Sequence, residues 1–65
     1  MNLFTINLLG GGWVQMRLEA SDLHEVSEQL RRERNLIGEL VTSDADGVLG
    51  RVLIPAQRVV MISET

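Results

Sequence analysis

The sequence predicts an α+β domain with the element order β-β-α-β-β-β, and three observations carry that expectation. Apolar and polar residues alternate in two short runs before residue 20. A capped amphipathic segment follows, and the second half returns to short apolar runs punctuated by Asp-Gly and Ile-Pro. Two architectures satisfy this order: a curved antiparallel sheet with one helix on its inner face, or a sheet rolled into a small partial barrel that the helix caps.

In the first strand, residues 3–9, Phe4, Ile6 and Leu8 alternate with Thr5 and Asn7, which gives one buried face. Gly10, Gly11 and Gly12 then read as a hairpin loop that accepts positive φ. The second strand, residues 13–19, sets Val14, Met16 and Leu18 against Gln15, Arg17 and Glu19. Ser21 and Asp22 are both helix-capping types, and Glu25 stands three residues after Asp22, so a capping box opens a helix over 22–34. Leu23, Val26, Ser27 and Leu30 mark one face of it, with acidic residues early and arginines late as the helix dipole prefers. Running the helix on through Ile37 places Gly38 inside it at a cost of about 1 kcal/mol relative to Ala, so a stop near Asn35 is expected. Residues 36–42 and 48–54 flank Ser43-Asp44-Ala45-Asp46-Gly47, whose final Asp-Gly suits a second hairpin. Pro55 then interrupts the β pattern, which resumes over 59–63.

The chain has 65 residues, nine of them acidic, a formal net charge of −3 and no cysteine. That size supports one domain, 1–65, with one core, and domains below roughly 70–80 residues usually lean on disulfides, metals or oligomerisation. Disulfides and thiolate zinc sites are excluded, and the lone histidine, His24, has only Glu28 beside it at i+4, so no structural metal is expected. No apolar run approaches the ~20 residues that cross a bilayer, and the basic start of a secretory signal is missing, so the expectation is a soluble cytoplasmic protein without membrane contact.

The last two strands place apolar side chains on both faces, and one helix covers only one of them. A second copy of the chain is the simplest cover for the other, which predicts a homo-oligomer with Leu53, Val59, Met61 and Trp13 in its interface.

Candidate chemistry is sparse. Asp44 and Asp46 fail as a calcium loop because Thr42 and Leu53 fall at ligand positions. The glycine triplet precedes a strand instead of the helix that a phosphate loop needs. No serine has a base or oxyanion motif beside it, so no catalytic or cofactor-binding residue is assigned and no enzyme is expected. All six basic residues are arginine; Arg31, Arg32, Arg34, Arg51 and Arg58 are candidate nucleic-acid contacts if symmetry gathers them, although the acidic total and the scarcity of aromatic residues oppose it.

The Ile54-Pro55 turn and apolar last strand, within residues 48–64, resemble the end of Sm-like RNA-binding rings. Here the helix follows the second strand instead of preceding the first, and Gly50-Arg51 reverses that family's Arg-Gly pair, so no RNA-binding residue is carried over. The leading expectation is a non-enzymatic self-associating module that presents a composite surface to a protein partner. The alternative is a nucleic-acid-binding oligomer.

Overall fold

A computed structural model of the protein describes residues 2–41 and 48–64. Within them the elements run β1 (Asn2–Leu8), β2 (Trp13–Leu18), α1 (Leu23–Glu33), β3 (Asn35–Val41), β4 (Val48–Pro55), a 3₁₀ turn (Ala56–Arg58) and β5 (Val59–Glu64). All pairings are antiparallel and the strand order is β4-β3-β2-β1-β5. The expected order, the early hairpin and the helix limits are all present. The second hairpin loop, 43–47, lies outside the described residues, although β3 and β4 pair on either side of it.

In β1, β2 and the start of β3 the even-numbered residues face the helix. Phe4, Ile6, Met16, Leu18 and Leu36 are buried there with Ala20 and Val26, and Leu30 packs on them from α1. This is the alternation read from the first hairpin, continued in β3 and β4 at Leu40, Val52 and Ile54.

The connection from β4 to β5 sets the sheet's shape. Five flat strands at about 4.8 Å spacing would hold the outer two about 19 Å apart. Pro55 and Val59 are joined through Ala56–Arg58 alone, a link that spans at most about 14 Å even when fully extended. The sheet is therefore coiled, bringing its edges toward each other, yet β4 and β5 share no ladder and the sheet is open. The rolled alternative does not reach closure.

Both edge strands carry a bulge. Asn7 pairs with Met61 but Leu8 with Val59, which leaves Val60 as the extra residue. Leu40 pairs with Gly50 but Val41 with Val48, which leaves Leu49 extra, and Gly50 takes φ 148°, a conformation suited to glycine. The β5 bulge corrects one reading. Because Val60 is skipped, Val59 and Ile62 both turn to the core, so Val59 is half-buried among core residues instead of on the solvent face.

The helix ends are tied closely. Asp22 Oδ1 accepts from the Glu25 N–H at 3.0 Å, while the Glu25 carboxylate reaches back to the Ser21 N–H and hydroxyl at 2.5 and 2.6 Å, one residue further out than the usual capping box. Asn2 Nδ2 donates to the Ala20 and Ser21 carbonyls at 3.2 and 3.1 Å, and Glu64 Oε2 accepts from the Leu23 N–H at 3.1 Å. The chain's first and last strands thus both hold the start of α1. At the other end Arg34 adopts φ 61°, ψ 19°, its N–H donating to the Leu30 carbonyl at 2.8 Å, and turns the chain directly into β3.

Gly38 marks a close approach. A Cβ there would lie 2.5 Å from the Arg17 carbonyl oxygen and 2.6 Å from Leu18 Cδ2. Gly38→Ala is expected to destabilise the protein by about 1–3 kcal/mol through overpacking against backbone, read as a lower urea midpoint at unchanged slope. Gly12→Ala, where a Cβ meets nothing within 4 Å, is expected to leave the midpoint nearly unmoved.

Candidate functional site

Among the described residues, most exposed apolar groups other than Leu9 fall on two surfaces. The first is the sheet face turned away from α1. Trp13 and Met61 are both Cα partners of Asn7, so they flank it on adjacent strands, and they are 56% and 57% exposed. Ile37 and Leu53 are direct partners across β3 and β4, 39% and 54% exposed. Between these two patches runs a polar belt: Gln15, Thr5 and Ser63 in one row, and Arg17, Glu39 and Arg51 in the next, with charges alternating across three strands. Of the four interface residues expected from sequence, Trp13 and Met61 come together and Leu53 stands apart with Ile37. Val59 is on the opposite face.

The second surface lies between α1 and β5. Leu23, Val26 and Leu30 form one wall of an apolar groove of about 390 Å³, and residues 59–62 form the other. Sequence reading missed this groove because it depends on the Val60 bulge, which breaks the period of two on which face assignment rests. The run of four apolar residues was the available signal.

A wider, polar opening of about 680 Å³ lies on the other side of α1. Glu19, Glu25, Glu28, Glu33 and Glu39 border it, with Arg32 and Arg51 opposed to them. Such mixed charge makes it a solvated cleft.

The structure does not gather the arginines into one patch. Arg31 forms a two-pronged pair with Glu28, and Arg32 pairs with Glu33 at 3.2 Å. Arg51 sits opposite Glu39. Arg34 and Arg58 are exposed, and the Ala56 N–H, two residues before Arg58, donates to the Arg34 carbonyl at 2.9 Å. His24 Nε2 stands 4.0 Å from Glu28 Oε1 and is exposed, and among the described residues no three His, Asp or Glu side chains gather to hold a metal ion. The Asp44 and Asp46 calcium reading lies outside the described residues. None of the described helices is long and apolar enough to cross a membrane.

Compared with known proteins, the chain matches no family, no curated protein and no solved structure. Its function has to be argued from these surfaces.

Glu25 supplies a pH dependence. The Ser21 hydroxyl and then the Ser21 N–H hold its carboxyl below the ordinary 4.5, helped by nearby His24 and opposed by slight desolvation. A carboxylate depressed in the folded state contributes stability that is fully present above its ordinary pKa and is lost as the pH falls through the lowered one. Melting temperature is therefore expected to fall below about pH 4.5. In Glu25→Gln, melting should begin lower at neutral pH and lose part of that acid sensitivity, as calorimetry across the range would read.

Proposed function

We propose that the protein is a non-enzymatic, self-associating cytoplasmic module, in which the outer sheet face joins copies and the assembled surface meets a protein partner. The carrying observation is the pair of apolar patches, Trp13 with Met61 and Ile37 with Leu53, which the single helix leaves uncovered. At about 25 cal/mol per Å², covering a few hundred Å² of such surface in each copy contributes several kcal/mol before association entropy is subtracted. That is comparable to the stability expected of so small a domain. Absence of an enzymatic role is part of the reading: the chain has no cysteine, and the titratable groups bordering the polar cleft form a mixed-charge network open to solvent.

Polynucleotide binding is the competing reading, favoured by exposed Arg34 and Arg58, for which no ion pair is found among the described residues. Phosphate contacts release counterions, so such binding would weaken steeply with salt, whereas a protein interface would not.

Sedimentation at micromolar concentration should show a species larger than one chain, and melting should rise with protein concentration. Met61→Asp is expected to weaken assembly by more than about tenfold, since it buries a charge in an apolar contact. A wild-type monomer with concentration-independent melting would sink the proposal, and salt-sensitive binding to single-stranded RNA would favour its rival.

A further inference from the structure

We infer that two copies join about a two-fold axis that lays the Trp13 and Met61 patch of each on the Ile37 and Leu53 patch of the other, so that unlike patches meet twice. The inference deepens the self-association proposed above and rests on it. The outer face is crossed by four rows. Trp13, Asn7 and Met61 make the first and Gln15, Thr5 and Ser63 the second, while Arg17, Glu39 and Arg51 make the third and Ile37 with Leu53 the fourth. Alternate residues of a strand are about 6.8 Å apart, so three steps separate the two apolar patches by about 20 Å. One patch lies on β2 and β5 and the other on β3 and β4, which puts them at opposite corners of the face.

Area calls for both patches. A stable interface takes about 800 Å² from each partner, a sizeable share of the 4293 Å² that this chain exposes. One pair of half-exposed side chains supplies only a small part of that. A patch lying on its own counterpart would use one corner and leave the other bare, whereas exchange draws on both corners and the belt between them.

Charge favours the same arrangement. A rotation that exchanges the first row with the fourth also exchanges the second with the third, so the charged row of each copy meets the neutral, hydrogen-bonding row of the other. Apolar groups then cover apolar groups at both ends. Rows laid on their own counterparts would set charged residues against charged residues. Gln15, in the second row, carries an independent mark of such a contact: its Oε1 is enclosed yet has no hydrogen-bond partner among the described residues. The row that exchange brings over it contains Arg17 and Arg51, whose guanidinium groups are donors.

Isotope-filtered NMR on a mixture of labelled and unlabelled protein tests the arrangement. Contacts between the Trp13 indole and the methyl groups of Ile37 and Leu53 are expected, and across about 20 Å within one chain they arise only between copies. Met61→Asp and Leu53→Arg, both at exposed positions, should each weaken assembly by about tenfold or more. Mixing the two variants should restore a heterodimer, because the introduced carboxylate and guanidinium meet at one contact while the native side chains remain at the other. A wild-type assembly in which Trp13 contacts its own counterpart, or a mixture of variants that sediments as monomers, would overturn the inference and leave self-association standing. Growth beyond two copies on raising protein concentration would also overturn it, since that marks an open head-to-tail chain. A wild-type monomer would instead overturn the reading on which the inference rests.

Discussion

Everything in this fold answers to the short link between the two edge strands. Ala56–Arg58 joins strands that stand at opposite ends of a five-stranded order, and no flat sheet accommodates so short a connection. Coiling follows, and with it a concave face small enough for one eleven-residue helix to close. Coiling also demands local relief. It is found in the two bulges, one in each edge strand, since a bulge bends its strand and raises the local twist. The bulges have a second effect, since an interrupted edge is a poor template for long, unspecific pairing.

A core of so few side chains leaves α1 dependent on polar ties as well as burial. Val26 is its only fully enclosed residue, and Leu30 is half-buried. Its first turn is accordingly held from three directions: by its own Asp22 and Glu25, by Asn2 at the start of β1, and by Glu64 at the end of β5. A capping interaction contributes about 0.5–2 kcal/mol, which in a domain of this size is a sizeable share of the total stability. The Glu64 contact also fixes the distance between the helix and β5, so the apolar groove between them is set by a polar bond at its end.

The sequence was legible wherever one local rule decided the outcome. Alternation in the first hairpin, glycine at positions with φ 101°, and Asp22 before a 3.6-residue stripe each depend on near neighbours and were read correctly. Expectation and structure part where tertiary geometry overrides a local rule. Residues 59–62 look two-faced under a period of two, and the skipped Val60 sends Val59 inward. Arg34 in the left-handed region has no sequence signal, since asparagine or glycine is the usual occupant of that turn. Gly38 read as a reason to end the helix, whereas its structural role is the close passage of β2. The arginines looked like one group because they crowd the sequence, but Glu28, Glu33 and Glu39 lie opposite three of them.

The same bulge that misleads the sequence reading also divides the molecule's apolar surface. Without it, Val60 would alternate in step with its neighbours, and the exposed groups of β5 would all belong to one sheet face. With it, Met61 stays on the outer face beside Trp13 while Val60 borders the helix groove. Two contacts of different character then become available to one short strand. The outer face offers apolar patches separated by a polar belt in which Arg17, Glu39 and Arg51 alternate in charge, a pattern that a similar surface can satisfy. The groove offers apolar walls from α1 and β5. Met61 borders both surfaces, and the flexible thioether of methionine suits that shared position.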